Sequence, residues 1–310
     1  MGIVKLFAAP YADEVKLFAS IDKDIANLKM SEIEQLIVES KDMYRKTALM
    51  YRYIERQNIE FINRVGSFDI SKTPKNKNIK IIVVPGMFYK EHPDVGAGGD
   101  IICEIARECG FQTSVIATLS KGSVSHNTKL VKEAILNERH EKVWLVSFSK
   151  GSAEIRLALE ELADSPELKK VQGWISISGV PYGTPLATLK QKNIISKAVW
   201  GATSKVLGVH TNVSKDLCHE GVLAGSMKIS PKINVIHIVG FPIAPHLHQE
   251  LIKFYSRLIP YGPNDGLTLL KDYMHIEGKV YPMWGLDHFL RSSTISSVIY
   301  KMCHFISNLN

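Results

Sequence analysis

A serine lies where a buried strand is predicted to run directly into a helix. The apolar run 143–148 is followed by Ser149, Lys150 and Gly151, and Ser147 completes the pattern small-x-Ser-x-Gly. A serine at so tight a turn is lifted above the end of the strand, where its Oγ can reach a substrate, and large side chains two residues away on either side would not fit. The pattern therefore indicates a nucleophile, although a serine that only caps the next helix has the same local sequence.

A nucleophilic serine needs a base and a group that orients the base. His288 follows the last predicted strand and is the candidate base, and Asp265 lies in a turn-forming run and is the candidate orienting carboxylate. Two other carboxylates, Asp272 and Asp287, compete for the second role. Asp287 is the chain neighbour of His288, so its side chain points away from the imidazole. Asp265 is favoured because it lies in a turn-forming run.

Two backbone N–H groups are candidate donors to the negative charge that develops on a carbonyl oxygen during acyl transfer. Met87 follows the predicted strand 79–84 and the Pro85-Gly86 turn, and Lys150 follows the serine. Loss of one such donor costs about 3 kcal/mol of transition-state stabilisation. A simple tight turn explains Pro85-Gly86 equally well.

Strands and helices alternate from residue 79 onward. The strands are almost continuously apolar, as parallel strands covered on both faces are, so we predict an α/β fold with a doubly wound, mostly parallel sheet. The predicted strands are 79–84, 113–118, 143–148, 171–178, 233–239 and 279–284, and the predicted helices are 98–108, 127–137, 152–162, 249–258 and 294–309.

Residues 1–75 form a predicted N-terminal helical extension, and residues 76–310 form the main domain. Ser31 and Glu34 suggest a capping box, and apolar residues recur at helical spacing after it. One-sided helices usually face a core, so packing on the main domain is favoured over binding a separate partner.

The chain resembles the α/β-hydrolase superfamily over residues 79–309, and within it bacterial lipases and esterases. Pro85 stands where lipases commonly carry histidine, and Ser147 where they prefer glycine. The order Ser, Asp, His along the chain is that of α/β-hydrolases. The resemblance rests on the segments 85–87, 147–151, 264–267 and 285–288.

The resemblance places a helical lid or cap at about residues 181–232. Within it Ile195, Val199, Ala202 and Val206 recur on one helical face. Together with Trp200 they would cover an apolar acyl pocket. The predicted pocket residues are Phe88, Val199 and Trp200, and a mobile lid and a fixed cap are both consistent with the sequence.

The function implied is hydrolysis of a small-molecule carboxylic ester with an apolar acyl group, through an acyl-serine intermediate and without a cofactor. An acyltransferase or thioesterase of a biosynthetic pathway would use the same three residues. A catalytically silent hydrolase fold that binds a ligand is the alternative from another functional class.

Composition limits the partners. The formal net charge is +7, but the cations are scattered apart from a run between Lys72 and Lys80, so we expect no nucleic-acid partner, while a peripheral contact with an anionic membrane remains open. No bilayer span is predicted. His246 and His248 lack a third ligand at useful spacing, so we expect no metal site. The four cysteines resemble reduced thiols, and residues 1–20 lack a secretory segment, which favours the cytoplasm.

Overall fold

A six-stranded, wholly parallel sheet forms the centre of the protein. The computed structural model describes residues 12–74, 78–192, 194–219 and 221–309. The strand order is β2-β1-β3-β4-β5-β6, so the chain starts inside the sheet, moves to one edge and then crosses to the other. The strands are β1 (Ile79–Val84), β2 (Gln112–Val115), β3 (Lys142–Phe148), β4 (Val171–Ile177), β5 (Asn234–Phe241) and β6 (Lys279–Trp284).

Helices cover both faces of the sheet, because alternate side chains of each strand point to opposite sides and both sets are apolar. On β1, for example, Ile79, Ile81 and Val83 belong to one buried cluster, and Ile82 and Val84 to the other. This arrangement confirms the predicted α/β class and doubly wound sheet. The helices that come after β1, β2, β3, β5 and β6 in the chain are, in that order, α5 (Asp100–Glu108), α6 (Val124–Asn137), α7 (Lys150–Glu161), α11 (Gln249–Leu258) and α12 (Ser293–Ser307).

Four helices precede the sheet. The first three share the buried cluster of α6 and α7, and the fourth shares the cluster of α5 and α12, so this segment packs on both faces of the sheet. They are α1 (Ala12–Ile25), α2 (Met30–Glu39), α3 (Met43–Gln57) and α4 (Ile59–Gly66). Residues 1–11 of the predicted extension, and Lys75 and Lys77 of the basic run, lie outside the described residues.

The predicted capping box of Ser31 and Glu34 is wrong. Helix α2 begins at Met30, so Ser31 already lies inside the first turn. The carboxylate of Glu32 accepts a hydrogen bond from the Lys29 N–H (2.7 Å) and satisfies the helix start instead. The Glu34 carboxylate accepts the hydroxyl hydrogen of Tyr53 in α3.

A buried carboxylate on α1 connects the N-terminal helices to the end of β6. Glu14 is only 5% exposed. Its carboxylate accepts a hydrogen bond from Trp284 Nε1 (2.8 Å) and lies 3.0 Å from His246 Nε2. Trp284 is the last residue of β6, so α1 helps to fix the strand end from which the chain continues to His288.

Between β4 and β5 the described residues form three helices and no strand, in the place of the predicted lid or cap. Arg156 of α7 is 2% exposed and anchors both ends of this insertion to the sheet layer. The helices are α8 (Pro185–Gln191), α9 (Ile194–Leu207) and α10 (Val213–Asp216). The Arg156 guanidinium donates to the carbonyl oxygens of Pro181 (2.8 Å), Leu223 (3.0 Å), Gly225 (3.2 Å) and Ser226 (3.2 Å).

None of the described helices is long and apolar enough to cross a bilayer.

Candidate active site

Ser149 occupies the sharp turn between β3 and α7. Its backbone has φ 45° and ψ −116°, a conformation that costs a non-glycine residue about 1–3 kcal/mol. Neighbouring bonds hold it there: the Ser149 N–H donates to the Ile177 carbonyl (3.1 Å), and the Ser152 hydroxyl donates to the Ser149 carbonyl (2.7 Å). The turn therefore stores strain in order to present the Ser149 side chain at the end of the sheet.

Small residues on either side of Ser149 allow the turn. A Cβ atom on Gly151 would lie 2.7 Å from the carbonyl oxygens of both Val84 and Pro85, closer than any side chain tolerates. On the other side Ser147 is fully buried, and its Oγ accepts a hydrogen bond from Trp174 Nε1 (2.8 Å). Serine thus fits in place of glycine because its hydroxyl has a partner on β4.

The side chains of Ser149, His288 and Asp265 form one hydrogen-bonded chain. His288 Nε2 lies 2.9 Å from Ser149 Oγ, and His288 Nδ1 lies 2.8 Å from Asp265 Oδ2. The His288 N–H also donates to the Asp265 carbonyl (2.9 Å), which ties the two loops together. Asp265 and His288 are buried, whereas Ser149 is partly exposed, so this chain of bonds runs from the interior to an accessible hydroxyl.

The local turn prepares Asp265 to accept hydrogen bonds as an anion. Its Oδ1 accepts from the N–H groups of Leu267 (2.9 Å) and Thr268 (2.7 Å), and its Oδ2 also accepts from the Thr268 hydroxyl (2.8 Å). Burial alone would raise the pKa of Asp265, but His288 and the two N–H donors outweigh burial and hold this pKa below its usual value. The carboxyl is therefore ionised when it faces the imidazole.

The competing carboxylates have other partners. Asp287 accepts from the His248 N–H (2.7 Å) and the Phe289 N–H (3.0 Å), so it points away from His288. Asp272 Oδ2 lies 3.6 Å from His219 Nε2, and burial raises the Asp272 pKa to about 7.

The two histidines considered as a metal pair are also engaged elsewhere. His246 contacts Glu14, and His248 Nε2 lies 2.9 Å from the guanidinium of Arg291. No three His, Cys, Asp or Glu side chains in the described part of the chain are grouped as metal ligands are.

The backbone N–H groups of Met87 and Lys150 have no hydrogen-bond partner among the described residues. Both residues border the same cavity as Ser149 and His288. The Lys150 side chain is 2% exposed and pairs with the buried Glu154 carboxylate, to which Asn127 also donates (2.8 Å). The side chain is thus engaged inside the protein, and the backbone N–H of Lys150 lies in the first turn of α7 without a described partner.

A cavity of about 1380 Å³ opens above Ser149, between the sheet edge and the insertion. Most of its wall is apolar, and all three predicted pocket residues, Phe88, Val199 and Trp200, border it. A cavity of this size exceeds that of a typical drug-sized ligand site, about 300–1,000 Å³. It therefore has room for a substrate with a long apolar chain.

The predicted stripe on α9 is only half right. Ile195 and Val199 border the cavity, but Ala202 and Val206 do not, and Val206 is 88% exposed. Trp200 is 7% exposed and its Nε1 donates to the Thr211 carbonyl (2.9 Å). The cavity-facing side of α9 therefore includes Trp200 together with Ile195 and Val199, and leaves Ala202 and Val206 outside.

Several cavity residues had no sequence signal. Lys190 lies on a helix before β5 in the chain, and Arg257 lies on a helix after it. No local sequence pattern indicates that both border the same cavity. Leu267 and Phe289 were detectable in principle, because each lies within two residues of a predicted triad member.

Comparisons with solved structures agree with this architecture. A carboxyl esterase of metagenomic origin superposes with a TM-score of 0.57 at 17% identity, over 76% of each chain. A lipase of Bacillus licheniformis, in its mature form, superposes with a TM-score of 0.53 at 18% identity, over 75% of this chain and 91% of the lipase. No protein-family model and no curated protein sequence matches the chain. The protein therefore has the α/β-hydrolase fold, and it resembles esterases and lipases in structure.

Proposed function

We propose that this protein is a serine hydrolase that cleaves a carboxylic ester through an acyl-serine intermediate. The observation that carries the proposal is the continuous chain of hydrogen bonds from Ser149 Oγ through His288 to Asp265, with contacts of 2.9 and 2.8 Å. These are the distances over which a base takes a proton from a nucleophile. The likeness to a carboxyl esterase and a lipase supports ester chemistry.

In the acylation step, Ser149 Oγ attacks the ester carbonyl carbon and its proton passes to His288 Nε2. Asp265 holds the Nδ1 proton and stabilises the imidazolium that forms. The N–H groups of Met87 and Lys150 donate to the oxyanion. Collapse of the tetrahedral intermediate breaks the bond to the alcohol, which leaves with the proton from His288. A water molecule then repeats the sequence on the acyl-serine, releases the carboxylic acid and restores the Ser149 hydroxyl.

A fluorophosphonate probe tests the proposal, because it phosphonylates only a serine that a base activates. We expect intact protein to gain the mass of one probe, and the modified peptide to contain Ser149. Ser178 and Ser214 border the same cavity and serve as internal controls that stay unmodified. Absence of labelling would favour the catalytically silent alternative. A label on Ser178 would identify Ser178, and not Ser149, as the nucleophile.

The apolar wall supports an acyl group with a long hydrocarbon chain. Each methylene buried in the cavity contributes up to about 0.8 kcal/mol, so kcat/KM for p-nitrophenyl esters should rise with acyl length until the cavity is filled. Replacing Val199 by serine should reduce kcat/KM for the longest esters by about two- to fourfold. Val206→Ser, on the same helix but outside the cavity, is the matched control and should change nothing. A preference of the wild type for acetyl over every longer chain would contradict the apolar acyl pocket.

An acyltransferase or thioesterase would pass through the same acyl-serine. Two measurements separate these functions from ester hydrolysis: an acyltransferase requires an added alcohol or amine to turn over, whereas a thioesterase releases free acid with water and prefers a thioester to the matching oxygen ester.

A further inference from the structure

The charged residues of the cavity wall are unevenly balanced. Its two described acids have basic neighbours: Asp94 lies 3.7 Å from Arg291, and Glu250 lies 3.7 Å from His248. Lys190 of α8 and Arg257 of α11 also border the cavity, and neither is found in an ion pair among the described residues. The wall therefore carries two cations that no described carboxylate neutralises.

These two cations come from helices that pack against each other, and Lys190 is held in place. Lys190 Nζ lies 3.8 Å from the centre of the Trp200 ring, and the bond from Trp200 to Thr211 fixes that ring. Both side chains remain exposed at the cavity mouth, and partial desolvation, followed by the positive charge of Arg257, lowers the pKa of Lys190. Two like charges that repel each other beside an apolar wall are stabilised when an anion binds between them.

Helix α8 runs from a contact with the Asp265 turn toward Lys190. Thr184 caps the N-terminus of α8, and its hydroxyl donates to the Leu267 carbonyl (2.5 Å), next to the Asp265 turn. Lys190 follows six residues later, which corresponds to about 9 Å of helical rise. Lys190 therefore lies near the end of α8 opposite the contact with the Asp265 turn, and both Lys190 and Ser149 border the same cavity.

We propose that Lys190 and Arg257 recognise an anionic group, a carboxylate or a phosphate, at the end of the substrate remote from the scissile ester. This inference deepens the proposed function and rests on it. The substrate class is an amphiphilic anionic ester: the reacting carbonyl lies at Ser149, a hydrocarbon chain follows the apolar wall, and the charge lies at the cation pair.

Length-matched ester pairs test the inference. Mono-p-nitrophenyl esters of adipic, suberic and sebacic acid carry a terminal carboxylate, and p-nitrophenyl hexanoate, octanoate and decanoate are their neutral counterparts. For wild type at low salt we expect the anionic member to have the higher kcat/KM for at least one length. The ratio of anionic to neutral kcat/KM should fall by about tenfold in the double variant Lys190→Gln/Arg257→Gln. Added salt should lower the same ratio.

Lys253→Gln is the matched control. Lys253 lies on α11 one turn before Arg257, is exposed and does not border the cavity, so its loss alters net charge without altering the cation pair. The ratio should keep its wild-type value in this variant. An equal fall in Lys253→Gln and in the double variant would overturn the inference, because general charge would then explain the preference. A ratio below one at every length in wild type would also overturn it.

A binding measurement separates failure of this inference from failure of the proposed function. Decyl phosphate and decanol are titrated calorimetrically into the Ser149→Ala protein, which needs no turnover. We expect decyl phosphate to bind about tenfold tighter than decanol, and the difference to disappear when Lys190 and Arg257 are both glutamine.

Tighter binding of decyl phosphate together with no ester turnover in wild type would refute the ester function alone. Turnover of neutral esters with equal binding of the two amphiphiles would refute the anion site alone. Comparison of decyl phosphate with decanoate distinguishes phosphate from carboxylate as the preferred group.

Discussion

Ser149→Ala is expected to lower kcat for a p-nitrophenyl ester by about six orders of magnitude, as loss of the nucleophile does in a well-studied serine hydrolase. Without Oγ no acyl intermediate forms, and the remaining rate comes from binding and from the oxyanion donors. Initial rates, with purified variant at high concentration and probe labelling to exclude wild-type contamination, measure this loss. Retention of more than a hundredth of the wild-type kcat would refute Ser149 as the nucleophile.

A second variant at the same position shows that the loss is chemical. Alanine keeps a Cβ at φ 45°, so the strain at the turn and the free energy of unfolding should both stay near wild type. Ser149→Gly removes the Cβ, and the unfolding free energy should rise by about 1 kcal/mol, because relief of strain exceeds the entropic cost of glycine. Urea denaturation measures both. Equal inactivity of the two variants, with unchanged stability in one and raised stability in the other, would separate catalysis from folding.

The sequence alone predicts the parts of this protein that depend on neighbours in the chain. The strand into Ser149, the turn at Asp265 and the loop after β6 carry their signals locally, as strand apolarity and turn residues. Since parallel strands end at one edge of the sheet, these three segments must meet there. The sequence therefore limited the candidate site to a few residues, and the structure brings Ser149, Asp265 and His288 together.

Features that depend on distant segments had no such signal. Glu14 contacts Trp284 and His246 across more than 200 residues, and nothing near Glu14 in the chain indicates a buried carboxylate. The orientation of α9 is another example. Its sequence offers both an aliphatic stripe and Trp200 for burial, and the structure buries Trp200. Lys190 and Arg257 likewise meet only through the tertiary fold.

Asp265→Asn should lower kcat by about four orders of magnitude, and the structure gives the reason. Two backbone N–H groups donate to Oδ1 at 2.7 and 2.9 Å, so the amide oxygen of asparagine must occupy that place and its NH₂ group must face His288. His288 Nδ1 then has to accept a hydrogen bond, which leaves the proton on Nε2. That tautomer has no lone pair for the Ser149 proton, and the wrong tautomer costs about 10⁴-fold in a known triad.

Asp272→Asn is the matched control, and it should change kcat by less than about threefold, because Asp272 lies against His219 and not His288.

The same substitution should also change how the stability of the protein depends on pH. Burial raises the Asp272 pKa from 3.8 to about 7, so the folded protein holds this proton more tightly than the unfolded chain does. The unfolding free energy of wild type should therefore decline as pH rises from about 4 to 7, and this part of the decline should be absent in Asp272→Asn. The kcat values and urea denaturation at pH 5 and pH 8 measure both effects. A large loss of kcat in Asp272→Asn, with a small loss in Asp265→Asn, would move the orienting carboxylate to Asp272.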